Sequence, residues 1–236
     1  MPAFEDHIDR SGHDNHDDKL FVEGYAPITV GGEAVQIYYK IAGDLITSKR
    51  TPLVVLHGGP GLSSLIYYPH SDLLTDYDIP VILYDQVGGG ESTHLPNQPQ
   101  GFWSIDLFCD ELEQLLKYFG IEDNYDLLGH SWGGMLATYF LENRVARGLR
   151  HLVLVGSPSS AKLLDECTSE LIKGFPEKLR ASVEKKQRGE EYDEADLDEA
   201  GKVYFTRHVC QLESMPTEIT ETMMTKKADP TVNEAL

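Results

Sequence analysis

Four short apolar runs constrain this chain most: PLVVL before HGGPG, VILY before DQ, DLLG before HS, and LVLV before GSP. Each is four to six residues long and nearly continuous in hydrophobicity, with helical sequence between them. A strand that is apolar at every position has to be buried on both faces, which predicts a parallel sheet with helices packed on each side. Between the second and third runs, Ile105, Phe108, Leu112, Leu115, Leu116 and Phe119 recur at helical spacing. WGGMLATYFLENRVARG, from 132 to 148, reads as a second helix after the third run. Ahead of them all, FVEGYAPITV and AVQIYYKIAG are rich in β-formers and separated by GGE, which predicts a hairpin. The expected fold class is α/β.

From about residue 160 onward the sequence is charged and helical, and no strand-like run interrupts it. The organisation this implies is a polar tail over 1–18, an α/β core over 19–158 and a helical cap over 159–236. His7, His13 and His16 lie in the tail among acidic residues, but their spacing matches no tight ligand set and nothing apolar nearby would hold them. They read as a solvated, disordered segment. No metal or cofactor is expected anywhere in the chain.

The length, 236 residues, suffices for one sizeable core. A formal net charge of −19 argues against nucleic acid and against an anionic membrane surface, both of which would repel it. No apolar stretch approaches the roughly 18 residues needed to cross a bilayer, and no basic-then-apolar start reads as a secretory signal. The three cysteines, Cys109, Cys167 and Cys210, are odd in number, widely spaced and outside any CxxC pair. They are expected to be reduced thiols in a cytoplasmic protein.

Chemistry concentrates at two places. Gly129-His130-Ser131-Trp132-Gly133 fits G-x-S-x-G, in which a serine sits on a strained strand-to-helix turn with its oxygen projecting into a site. The pentapeptide alone is a weak signal, and its context, a strand before and a helix after, strengthens it. The competing reading is a turn whose serine merely caps the helix. The second place is His57-Gly58-Gly59-Pro60-Gly61, directly after the first run. Acyl transfer needs N–H donors aimed at a developing oxyanion. In this architecture one donor is the residue after the nucleophile, here Trp132, and the other comes from the loop after an earlier strand. Gly59 is the choice there, because Pro60 has no N–H to give.

HGGPG at 57–61, YDQVGGGES at 84–92 and GHSWGGMLA at 129–137 together resemble the proline iminopeptidases. The resemblance runs from about residue 20 to the end and is more specific in the first two-thirds. It implies an α/β-hydrolase fold and a serine aminopeptidase that removes N-terminal proline, or another small or apolar residue, from peptides or aminoacyl amides. Family members often carry an arginine after DQ or before the last serine of that motif, where this chain has Val87 and Glu91. That departure implies a divergent subgroup. The resemblance also implies a cap carboxylate for the free α-ammonium, with Glu213 at the matching position and Glu218 a second candidate. An exposed glutamate without that role is the competing reading for Glu213. Asp85 and Gln86 are expected to shape the loop beside the site.

The base is harder to place. Chain order in this fold is Ser, then Asp or Glu, then His, and only His151 and His208 follow Ser131. His151 lies at the wrong end of its strand, and His208 lies in the cap. His130 adjoins Ser131, but strand neighbours point to opposite faces. In the family the acid and histidine follow two further strands after the cap. The resemblance therefore implies that this chain stops short of them and that the outer edge of the LVLV strand is bare or covered by cap helices. A catalytically inactive truncated form or binding remnant is the alternative to an active peptidase, and an esterase is a second alternative. Oligomeric state is not legible.

Overall fold

The computed structural model describes residues 21–236; the tail expected over 1–18 lies outside them. Six strands form one sheet in the order β1-β2-β4-β3-β5-β6. Strands β1 (Phe21–Val30) and β2 (Glu33–Ala42) are the expected hairpin, paired from Phe21–Ala42 to Val30–Glu33. Gly31 and Gly32 close it, both at positive φ (57° and 86°), the combination that matches the twist of antiparallel strands. β2 runs antiparallel to β4 (Val81–Tyr84). β3 (Leu53–Leu56), β4, β5 (Tyr125–His130) and β6 (Leu149–Val155) are parallel.

The apolar runs separate by residue parity, as a period of two requires. Val54, Leu56, Ile82, Tyr84 and Leu127 face one layer, where they meet Phe108, Leu112, Leu136 and Phe140. Those four belong to α2 (Ile105–Phe119) and α3 (Trp132–Asn143). Val55, Val81, Leu83 and Leu128 face the other layer with Tyr67, and the partly buried Leu73 and Leu74 of α1 (Asp72–Tyr77) pack there too. α2 is delimited locally: the Ser104 side chain accepts from Leu107 N–H at its start, and Gly120 takes the left-handed conformation at its end. α3 ends at Asn143, short of the expected 148, with Arg144 in an extended conformation. The Arg144 guanidinium reaches Asp106 at 2.9 Å and Asp110 at 3.0 Å on α2.

Two expectations need correction. The LVLV run was expected to be buried on both sides. In the structure Val153, Leu154 and Val155 are 46%, 48% and 43% exposed. Among the described residues β6 pairs with β5 alone, so its outer edge lacks the neighbour that burial requires. The cap expected over 159–236 is also divided. One unit comprises residues 158–217, and residues 218–236 belong with the first unit. Val232, 1% exposed in α8 (Thr231–Ala235), anchors that return in the first unit's core. The second unit holds α4 (Ala161–Ile172), α5 (Glu177–Gln187) and α6 (Glu194–His208), around Ile172, Phe175, Leu179 and Ala200. α7 (Thr217–Ala228) precedes α8.

Candidate active site

Three loops leave the carboxyl ends of adjacent parallel strands, the position where sheets of this kind place their ligands. They follow β3 at 57–61, β4 at 85–92 and β5 at 131.

Ser131 has φ 52° and ψ −117°, a backbone conformation that residues other than glycine rarely adopt. The glycines around it make this turn possible. A Cβ on Gly133 would lie 2.0 Å from Leu56 O, and one on Gly129 would lie 2.5 Å from Gly133 O. Helix α3 can therefore begin this close to β3 only without side chains at those positions. Ser131 N–H donates to Val155 O at 3.0 Å, and Ser157 Oγ donates to Ser131 O at 3.0 Å. The Ser131 side chain makes no capping hydrogen bond to α3, which removes the reading of it as a helix cap.

The HGGPG loop lies alongside: a Cβ built on Gly58 would come 3.4 Å from Ser131 Cβ. His57 is fully buried, and its two ring nitrogens have opposite roles. Nε2 accepts from Gln86 N–H at 2.9 Å, which leaves Nδ1–H to donate to Gly58 O at 2.7 Å. Burial lowers its pKa, outweighing the nearby Asp85, so the ring is neutral. With both nitrogens occupied, His57 is not placed to act as a base. Its bond to Gly58 O orients the Gly58–Gly59 peptide, because the Gly59 N–H in a trans peptide points opposite to that carbonyl. Among the described residues neither Gly59 N–H nor Trp132 N–H donates a hydrogen bond.

Gln86 and Asp85 organise the same corner. Gln86 Oε1 accepts from Trp132 Nε1 at 3.0 Å, so the side chain after the nucleophile is tied to the β4 loop. Asp85 Oδ1 accepts from Ser64 N–H at 2.6 Å and Oδ2 from Glu91 N–H at 2.9 Å. Beneath the loop, Glu111 of α2 is fully buried and its Oε2 accepts from Val87 N–H at 2.7 Å. Burial pushes its pKa up to about 8 against the lowering effect of that N–H, with Asp85 adding to the rise. Sequence reasoning missed Glu111, although its position four residues after Leu107 and before Leu115 put it on the apolar face of α2.

The predicted residues thus divide. Gly59, Ser131 and Trp132 all lie in the first unit, whereas Glu213 is exposed on the bend between α6 and α7 in the second. Glu218 is exposed in the first turn of α7. His151 is exposed and bonded to Asp126 Oδ1 at 2.9 Å, level with the start of β5 and away from its carboxyl end. His208 stacks on Phe175 and leans on Tyr204 within the second unit. All three cysteines are free, and burial pushes the Cys109 thiol up to about 12. Among the described residues no cluster of three potential ligands could hold a metal ion, and no helix is long and apolar enough to cross a membrane.

Strand order, elbow and glycine loops define a class, and comparison with known proteins agrees. The family model of the alpha/beta hydrolase fold matches residues 51–195, and the chain belongs to that family. It is a relative of the proline iminopeptidases. It is 32% identical to the proline iminopeptidase of Clostridium botulinum over 79% of this chain and 60% of that protein. It is 32% identical to that of Lactobacillus helveticus over 89% of this chain and 68% of that protein. Among solved structures, VinJ superposes with a TM-score of 0.81 at 35% identity, over 90% of this chain and 69% of that one. The proline iminopeptidase of Mycobacterium smegmatis gives 0.77 at 31%, over 89% and 70%. The chain thus spans 60% of the length of the first of these curated relatives.

Proposed function

We propose that the protein is a serine aminopeptidase of the proline iminopeptidase type, releasing proline or another small or apolar residue from the N-terminus of peptides or aminoacyl amides. The observation that carries this reading is Ser131 itself, strained, free of any capping bond and set against a glycine loop. In the reaction Ser131 Oγ attacks the carbonyl carbon while a base takes its proton. The Gly59 and Trp132 N–H groups hold the oxyanion. The C–N bond then breaks, the amine leaves with the proton, and water hydrolyses the acyl ester to restore the serine. This chemistry calls for neither metal nor cofactor. Glu213 receives the substrate's α-ammonium, and the cytoplasm is the expected compartment.

A second reading, a protein that keeps the elbow without turnover, is favoured by one observation. Among the described residues no histidine hydrogen-bonds Ser131 Oγ. A fluorogenic prolyl amide separates the two. Release that disappears in Ser131→Ala supports the peptidase. Ester cleavage without amide cleavage points to an esterase, and no cleavage of either supports the non-catalytic reading. Glu213→Gln is expected to raise KM for substrates with a free amine and to leave simple esters unaffected.

A further inference from the structure

We infer that Tyr67 and His130 are positioning residues that clamp the Gly58 N–H and so fix the glycine loop facing Ser131. This rests on the serine-hydrolase reading above. Neither residue has a part in that chemistry, yet both are packed where the loop turns.

Tyr67 lies in the 3₁₀ turn Leu65–Ser71 and is 5% exposed. Its hydroxyl oxygen accepts from Gly58 N–H at 2.9 Å and lies 2.6 Å from His130 Nδ1. Burial pushes the Tyr67 pKa up to about 12, so the phenol keeps its proton and donates it to Nδ1. His130 must then be the neutral Nε2–H tautomer. Burial first, and then His70 nearby, lower its pKa, which agrees. His70 belongs to the same 3₁₀ turn, its ring 5.8 Å from that of Tyr67. A Cβ on Gly58 would come 3.0 Å from His130 Nδ1, so a larger residue there would press on the histidine.

The Gly58 residue is therefore held at both ends, its N–H by Tyr67 and its carbonyl by His57 Nδ1. Two planar peptides fixed on either side of one Cα leave the Gly59 N–H a single direction. The Gly58 N–H is spent on Tyr67, which makes Gly59 the donor of this loop that stays free for an oxyanion. Without the clamp the buried Gly58 N–H would be unpaired, and the loop would be released to find it another partner.

Three variants test this: Tyr67→Phe, His130→Ala and His130→Asn, the last keeping an acceptor near the Nδ1 position. In ¹⁵N-glycine-labelled protein, Gly58 amide exchange is expected to rise by roughly 10-fold or more in Tyr67→Phe. For amide hydrolysis, kcat per titrated active site is expected to fall by roughly 10- to 100-fold in Tyr67→Phe and His130→Ala. KM should hold, and His130→Asn should recover most of the loss. Normalising to titrated sites removes any effect of partial unfolding. Unchanged Gly58 exchange in Tyr67→Phe, or a His130→Ala protein with wild-type kcat per site, overturns the clamp. A wild-type protein with no turnover overturns the proposed function instead, and Gly58 exchange alone then decides whether the clamp exists.

Discussion

Replacing Glu111 by glutamine should stabilise the protein, and by an amount that depends on pH in a defined way. Glu111 is fully buried, one carboxyl oxygen holds Val87 N–H, and the other has no hydrogen-bond partner among the described residues. Its pKa is raised from 4.5 to about 8. A carboxyl whose folded pKa is raised leaves stability intact below the unfolded value. Stability is then lost as pH rises towards the folded value, because the unfolded chain releases the proton first. At about 1.4 kcal/mol per pH unit, the interval from 4.5 to pH 7 amounts to about 3 kcal/mol. Glutamine keeps an acceptor for Val87 N–H and carries no proton to lose. The two proteins should therefore have similar stability near pH 4 and diverge by about 3 kcal/mol at pH 7. Urea unfolding read by tryptophan fluorescence is the assay, since both tryptophans, Trp103 and Trp132, lie in the first unit near this side chain's loop. Parallel stability–pH curves for the two proteins, with no divergence between pH 4.5 and 8, would show that burial does not hold the Glu111 proton.

Other expectations follow from the same geometry. Gly133→Ala gains about 1 kcal/mol of helix propensity, but its Cβ would sit 2.0 Å from Leu56 O. The clash wins, and a net loss of about 3 kcal/mol or more in the urea experiment is expected. Leu154→Lys on the exposed β6 edge should lower light scattering at high protein concentration while leaving the Ser131 turn intact. His94 places Nδ1 2.6 Å from Asp229 Oδ2 and Nε2 3.0 Å from Gly90 O. Burial opposes its charge, but those acceptors outweigh it and raise the pKa above 6.5. This raised histidine stabilises the attachment of residues 229–235 below pH 6.5, and that contribution is lost as pH rises through the folded pKa. Amide exchange in α8 should accelerate over that window, and Asp229→Asn should remove the pH dependence.

Much of this architecture was legible because period and burial are local. The runs of β3 and β4 became strands buried at every position, and the six spaced apolar residues of α2 face the core fully or in part. G-x-S-x-G was legible for a steric reason visible in the sequence, since only glycine fits where α3 starts against β3. What stayed hidden depends on the third dimension. The burial of β6 depends on a neighbour and cannot be read from its own residues. The return of 218–236 to the first unit rests on Val232, Thr222 and Asp229, a set that no periodic pattern in that stretch picks out. Helix α3 stops at Asn143, and the extended Arg144 beyond it pairs with Asp106 and Asp110 on α2, 38 and 34 positions earlier in sequence, a pairing that no local pattern announces. His130 looked irrelevant because strand neighbours face opposite ways, and the structure indeed turns it from Ser131, onto Tyr67.

Ser131 is proposed here as an activated nucleophile opposite the Gly59 loop. Incubation with a fluorophosphonate, followed by peptide mapping with mass spectrometry, tests it most directly. One adduct per chain is expected, on the peptide carrying Ser131, absent from Ser131→Ala and slowed in Tyr67→Phe. An unmodified protein, or an adduct on any other serine, would contradict it.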